Sequence, residues 1–145
     1  MLAPLSQRYL PAAQAALRIV AGSAYFVHAT QKLFGWFGGI DGHGRAAELM
    51  SKFGAAGVIE VVLSTCIVLG LATRLAAFIA SGEMAVAYLM VHIAGSGSIW
   101  WWRNGGELPV LFSFLFLLYA AWGAGPLSVD SWLERRRPSR TSTTS

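Results

Sequence analysis

The chain has 145 residues, of which 55% are hydrophobic and only 12% are charged. A soluble domain carries about 25% charged residues, and so short a chain cannot bury this much apolar surface in one water-soluble core. The composition therefore excludes an ordinary soluble domain and predicts an integral membrane protein. The net charge of +4 does not indicate a nucleic-acid partner, because much of the excess basic charge lies in one short tail, residues 135–140. A basic tail after a hydrophobic helix is typical of the cytoplasmic side of a membrane protein.

Four hydrophobic stretches follow one another along the chain, each near the roughly 20 residues that span a bilayer. They lie at about residues 12–37, 55–72, 74–94 and 106–124. The first is predicted to be a retained helix and not a cleaved signal, because Arg18 interrupts its apolar core. We therefore expect an all-α membrane protein, a bundle of four transmembrane helices with short loops in a single domain over residues 1–134. Residues 135–145 are predicted to form a basic, flexible tail.

The distribution of positive charge predicts the orientation of these spans. With four spans, both termini and the Arg74 turn fall on one side, which carries six Lys and Arg residues against four on the other. Since cytoplasmic segments carry the excess of Lys and Arg, we expect both termini in the cytoplasm. In a bacterium the protein would lie in the inner membrane, surrounded by the lipid bilayer.

The most informative residues are the polar ones inside the spans. An ionisable group in the bilayer costs a few kcal/mol unless it is paired or reaches water, so each is a candidate for function. Helical rise places seven such residues, from all four helices, in the outer half of the membrane. They are predicted to form one polar cavity that binds substrate or quinone or relays protons: His28, Gln31, Lys32, Glu60, His92, Asn104 and Glu107.

Two further ionisable residues, Arg18 and Glu83, lie deeper, at depths that permit a buried ion pair. A purely structural role is an equal alternative for Arg18–Glu83 and for a Lys32–Glu60 pair. Lys32 could also extend to the headgroups, and Glu107 could simply favour the first turn of its helix. The single cysteine, Cys66, allows no disulfide, and neither a metal site nor a phosphate-binding motif is expected.

The same residues carry a resemblance to a known family. The segments are residues 17–19, His28 with 31–35, 57–60, 69–77, 86–88 with His92, 104–108 and 128–130. In this order they resemble the DoxX family of small membrane proteins, over about residues 15–132. One departure is Ala29-Thr30, where the family often has glycine. The resemblance implies a four-helix bundle linked to membrane redox systems, whose relatives include subunits associated with quinol oxidase and thiosulfate:quinone oxidoreductase.

Several functions remain open at this point. One is a membrane subunit of a quinone-linked oxidoreductase, with quinone as the bound cofactor and other redox subunits as partners. Another is a scaffold subunit without enzymatic activity, in which the polar cluster holds helices together. A haem held by His28 and His92 has no other support in the sequence, and a transporter would need more helices or an oligomer. The sequence does not decide whether the chain is an enzyme or forms a homo-oligomer.

Overall fold

The computed structural model describes residues 3–136 of the chain, with side chains from residue 7 onward. Of the predicted flexible tail at residues 135–145, Arg135 and Arg136 instead form the last residues of a helix, and residues 137–145 lie outside the described residues. Five helices of at least eight residues occur in this part of the chain. They are α1 (Ala3–Phe34), α2 (Lys52–Leu69), α3 (Thr73–Ala87), α4 (Glu107–Trp122) and α5 (Val129–Arg136).

Helix α3 does not end at Ala87 but changes its winding. It continues as a π-helix over Tyr88–Ile93 and closes with an α-helical turn, Ala94–Ser96. π-Helical turns are rare and frequently occur at functional sites. A short helical turn, Trp101–Asn104, then leads into α4.

Three stretches are long and apolar enough to cross a membrane: Gln7–Phe34, Lys52–Leu69 and Thr73–Ser96. Helix α4 is equally apolar in character but has 16 residues, or about 24 Å at 1.5 Å per residue, against about 30 Å of hydrocarbon. The protein is thus a helical membrane protein. A fourth complete span remains a prediction.

The ends of the helices differ from the predicted ones for local reasons. Helix α1 begins at Ala3 and runs through Pro11, whereas the predicted hydrophobic stretch begins at about residue 12. It ends at Phe34 because Gly35 adopts a left-handed conformation with φ of +69°. Helix α2 begins three residues earlier than expected, since the Ser51 hydroxyl accepts a hydrogen bond from the Gly54 amide at 3.1 Å.

Packing inside the bundle depends on aromatic rings and small side chains. Tyr25, Phe116 and Tyr119 are fully buried, and the Tyr25 and Phe116 rings lie 5.1 Å apart. Opposite them, α3 presents Ala77 and Ala80, also fully buried, and small residues of this kind allow membrane helices to approach closely. Large apolar side chains cover the outer surface, as expected for a lipid-facing bundle: Val20, Val62, Phe78, Leu111 and Phe114.

One end of the bundle is fastened by two arginines that bind backbone carbonyls. The Arg18 guanidinium donates to the carbonyls of Ile67 and Val68, both at 2.6 Å, in the last turn of α2. It also donates to Leu127 at 2.8 Å. Arg74 donates in the same way to carbonyls in the last turn of α4. A cation near a helix C-terminus is favoured by the helix dipole and satisfies carbonyls that lack a helical partner.

Helix α5 forms a third set of hydrogen bonds at this end of the bundle. The Asp130 carboxylate accepts hydrogen bonds from the Ala72 and Thr73 amides, at 2.7 and 2.9 Å, and so caps the start of α3. The Asp130 amide donates to the Gly70 carbonyl at 2.8 Å. The segments 69–77 and 128–130, which carry part of the family resemblance, therefore contact each other, and their role here is structural.

Candidate functional site

An ion pair between α1 and α2 forms the centre of the candidate site. The Lys32 ammonium donates to the Glu60 carboxylate. The Glu60 side chain is fully buried, whereas 19% of the Lys32 side chain is exposed. The helices come this close because Gly57, one turn before Glu60, has no side chain. A Cβ at Gly57 would lie 2.9 Å from Leu33 Cγ and 3.1 Å from Lys32 Cβ.

Helix α3 adds a second carboxyl group to this pair. The Glu83 carboxyl is a close neighbour of Glu60 and interacts with it, and the Tyr25 hydroxyl donates to Glu83 Oε2 at 2.9 Å. Lys32, Glu60, Glu83 and Tyr25 thus form one connected polar network across α1, α2 and α3, which we call the acidic network. Such networks are costly in a bilayer unless their members satisfy one another.

A cavity of about 270 Å³ opens beside the acidic network. Lys32 belongs to both, because it lines the cavity while its ammonium contacts Glu60. The remaining wall comes from α1, from the loop between α1 and α2, and from the first turn of α2. We call this space the outer cavity, and its lining residues are His28, Gln31, Lys32, Gly39, Ile40, Arg45 and Phe53.

The loop that closes one side of the outer cavity is held by backbone hydrogen bonds, such as the one from the Ile40 amide to the Arg45 carbonyl at 2.9 Å, and by the carboxylate of Asp41. Asp41 accepts hydrogen bonds from the backbone amides of His43 and Arg45, at 2.8 and 3.2 Å. These amides, together with the nearby Arg45 side chain, lower the pKa of Asp41 below its usual value. Asp41 therefore keeps Gly39, Ile40 and Arg45 in place along the cavity wall.

A second polar group lies at the end of α3, where the helix is π-helical. His92 Nδ1 lies 3.0 Å from the Asn104 carbonyl oxygen. The Asn104 side-chain amide donates to the Ser98 carbonyl at 2.9 Å and lies 3.5 Å from the Tyr88 hydroxyl. Among the described residues, no hydrogen bond or ion pair joins this group to the acidic network. The contacts of His92 and Asn104 order the segment between α3 and α4.

The seven residues predicted to share one cavity are therefore divided. His28, Gln31, Lys32 and Glu60 lie at the outer cavity or in the acidic network. His92 and Asn104 belong to the second polar group, so the two histidines are in different places. Glu107 is exposed at the start of α4, and sequence depth alone could not distinguish this position from an inward-facing one.

The expected Arg18–Glu83 pair does not form. Arg18 binds the backbone carbonyls at the end of α2, and Glu83 contacts Tyr25 and Glu60 instead. Similar depth in the membrane places two residues at the same level, but it does not determine which way each faces. The Lys32–Glu60 pair, considered as a structural alternative, is present.

Tyr25 is the member of the acidic network that sequence reasoning missed. It lies seven residues after Arg18 and seven before Lys32, so all three occupy one face of α1. This helical spacing from Arg18 and Lys32 was the feature of the sequence that could have identified Tyr25 as a member of the site. Among the described residues, His, Cys, Asp and Glu form no group of three that could hold a metal ion.

Together, the apolar outer surface, the helix lengths and the buried polar network define a small helical membrane protein. The model of the DoxX family matches residues 13–93, and the chain belongs to this family. It is 42% identical to an uncharacterized protein of Haemophilus influenzae over 127 residues, covering 86% of this chain and 93% of that relative. No solved structure matches the chain. The matched region contains most of α1, all of α2 and α3, and every member of the acidic network.

Proposed function

We propose that this protein is a membrane subunit of a quinone-linked oxidoreductase system and that the outer cavity receives the quinone head group. The observation that carries the proposal is the position of Lys32. The same side chain lines the cavity and binds the buried Glu60, so a ligand in the cavity would contact a group that is connected to two carboxyls and a tyrosine.

The lining of the outer cavity suits a single quinone ring. Ile40 and Phe53 offer apolar surface, while His28, Gln31 and Lys32 offer hydrogen-bond donors. Ligand pockets usually combine a mostly apolar wall with a few polar groups, and their volumes run from about 300 to 1,000 Å³. At about 270 Å³, this cavity would hold one ring, with any isoprenoid tail extending along the lipid-facing surface.

In this function the residues of the chain would bind the quinone and carry protons. His28 and Lys32 would donate hydrogen bonds to the carbonyl oxygens of the ring, and the acidic network would exchange the protons that accompany its reduction or oxidation. The electrons would pass to or from a redox centre in a partner subunit. We place the protein in a bacterial inner membrane with both termini in the cytoplasm, and hence the cavity on the outer side.

The test begins with purification from the native membrane in a mild detergent. We expect redox subunits among the co-purifying proteins, identified by mass spectrometry, and close to one extractable quinone per chain. The protein freed of lipid is then titrated with a short-chain quinone analogue. Lys32→Met should weaken binding about tenfold or more, since a hydrogen bond to a charged group contributes about 1.5–3 kcal/mol and 1.4 kcal/mol is tenfold. His28→Ala should weaken it severalfold, since a hydrogen bond between neutral groups contributes about 0.5–1.5 kcal/mol.

Matched controls are available for both variants. His43 is an exposed loop histidine and Lys52 is an exposed lysine at the start of α2, so His43→Ala and Lys52→Met should bind the analogue like the unmodified protein. If all four variants bind equally, or if no quinone is recovered and the analogue does not bind, the outer cavity is not a quinone site.

A scaffold subunit is the second candidate, because the charged groups of the bundle largely satisfy one another. Lys32 pairs with Glu60, Arg18 and Arg74 bind helix ends, and Asp130 caps a helix. For a scaffold we expect a co-purifying partner without quinone. Lys32→Met should then lower thermal stability and partner recovery together, whereas His28→Ala at the cavity wall should leave both unchanged.

A further inference from the structure

One oxygen of the buried Glu60 carboxyl lacks a hydrogen-bond donor. Glu60 Oε1 contacts the Lys32 ammonium, but Oε2 has no partner among the described residues although the side chain is fully buried. A buried acceptor left without a donor destabilises the folded protein. Glu60 Oε2 therefore needs a hydrogen-bond donor from a neighbouring group.

The neighbouring group is the Glu83 carboxyl, which interacts with Glu60 and whose Oε2 accepts a hydrogen bond from the Tyr25 hydroxyl at 2.9 Å. If both carboxyls are ionised, each can only accept a hydrogen bond, and neither satisfies the other. Two neighbouring like charges in a low-dielectric site also repel strongly, and such carboxyl pairs are known to retain one proton. A single proton between the two groups removes the repulsion and supplies the missing donor.

The charges that face this pair lead to the same conclusion. From α1, Lys32 contributes one positive charge, and the neutral hydroxyl of Tyr25 donates a hydrogen bond to Glu83. His28, also from α1, lies near Lys32 and Gln31. From α4, the neutral ring of Phe112 packs against Tyr25 and His28. One ammonium balances one carboxylate, so the second carboxyl is without a counter-charge unless it holds a proton.

We infer that Glu60 and Glu83 hold one proton between them and form a buried proton site that communicates with the outer cavity through Lys32. The exchange step is balanced at the atoms involved: Lys32 Nζ gives a proton to a cavity ligand or water, and the shared proton moves through Glu60 to restore the ammonium. The reverse order takes up one proton. Tyr25 is a positioning residue, because its hydroxyl fixes the Glu83 oxygen that it binds.

This inference adds a proton donor and acceptor to the proposed quinone site, but the shared proton does not depend on the identity of the ligand. A buried pair of carboxyls receives its proton from the side that water reaches. The Lys32 side chain is partly exposed, so water reaches the pair from the side of Lys32. The proton should therefore exchange with solvent deuterium through the outer cavity.

Infrared spectroscopy of the full chain in detergent at neutral pH tests the inference. The C=O stretch of a protonated carboxyl lies apart from the carboxylate bands, and the chain has only seven Asp and Glu residues. We expect one protonated carboxyl per chain, with a band that shifts in deuterated water. Glu83→Gln should abolish the band, since Glu60 would then remain ionised beside Lys32. Absence of the band from the unmodified protein would overturn the inference.

Two further variants make the assignment secure. Glu134→Gln removes an exposed carboxyl from α5 and should leave the band unchanged. If Glu83→Gln does not fold, Tyr25→Phe keeps both acids and removes only the hydrogen bond to Glu83, so the band should persist at a shifted frequency. A Tyr25→Phe band identical to that of the unmodified protein would place the proton on another carboxyl and contradict the inference. Quinone extraction is scored separately, so a protonated pair without quinone would reject the proposed function alone.

Discussion

Exposure differs between the two members of the central ion pair, and this difference predicts unequal effects of replacing them. Lys32→Met leaves Glu60 fully buried beside a second carboxyl, whereas Glu60→Met leaves Lys32, which can turn its ammonium towards the outer cavity. Breaking a buried ion pair costs about 3–5 kcal/mol when the remaining charge cannot reach water. We expect this full cost for Lys32→Met and a smaller one for Glu60→Met.

Thermal unfolding in detergent, followed by circular dichroism, measures the two costs. The double variant Lys32→Met with Glu60→Met should recover most of the lost stability, because no charge is then left unpaired. Lys52→Met, outside the network, should unfold like the unmodified protein. Equal losses for both single variants, without recovery in the double variant, would mean that the pair does not act as a unit.

The Asp41 carboxylate makes the wall of the outer cavity sensitive to acid. Its pKa is lowered in the folded protein by the amides of His43 and Arg45. The group therefore stabilises the loop fully above its ordinary pKa of 3.8, and this contribution is lost as the pH falls through the lower value. Pepsin, which is active in acid, should begin to cleave the loop in that range, while Asp41→Ala should be cleaved at higher pH as well.

Mass spectrometry of the fragments locates the cleavage. Glu48→Ala removes an exposed carboxyl farther along the same loop and serves as the control, with cleavage expected only where the unmodified protein is cut. Cleavage of Asp41→Ala and the unmodified protein at the same pH would show that the Asp41 contacts do not hold the loop.

At the level of helices, the approach of α1 to α2 depends on one glycine. A Cβ at Gly57 would meet Leu33 and Lys32 below normal contact distance, so Gly57→Ala should force the helices apart and weaken the Lys32–Glu60 contact. Overpacking of this kind costs about 1–3 kcal/mol. We expect a lower unfolding temperature and weaker binding of the quinone analogue at the outer cavity.

Gly82 provides the matched control for Gly57. It lies in α3, and a Cβ there would meet nothing within 4 Å. Gly82→Ala should leave stability unchanged or raise it, since alanine is favoured over glycine by about 0.5–1 kcal/mol in a helix interior. A Gly57→Ala protein as stable as Gly82→Ala would exclude close helix approach at this position.

The helices were predictable from hydropathy, but the assignment of polar residues to sites was only partly so. Depth along each span correctly predicted that Lys32 and Glu60 lie close together, because α1 and α2 are sequential antiparallel neighbours. Depth failed for Arg18 and Glu83, since the facing direction of a side chain depends on helix rotation. Helix rotation follows from packing, here from Gly57 and from the arginines bound to helix ends, and hydropathy carries no such information.

The ends of the whole molecule differ in chemistry, and this asymmetry bears on its orientation. One end holds Arg18, Arg74, Asp130 and α5, and the other holds the outer cavity and its loop. If α4 completes a fourth span, residue 43 and residue 134 lie on opposite sides of the membrane. The positive-inside rule then places His43 outside and Glu134 in the cytoplasm.

Cysteine labelling separates the orientations that remain. In a Cys66→Ser background, His43→Cys should react with a membrane-impermeant thiol reagent in intact spheroplasts, and Glu134→Cys only after lysis. The reverse pattern would mean an inverted protein, with the outer cavity facing the cytoplasm. Reaction of both before lysis would mean that α4, with 16 residues, does not cross, because an odd number of spans puts the α1–α2 loop and α5 on the same side. In that case α4 would lie against the bundle at the membrane surface, and the acidic network, which needs only α1, α2 and α3, would remain intact.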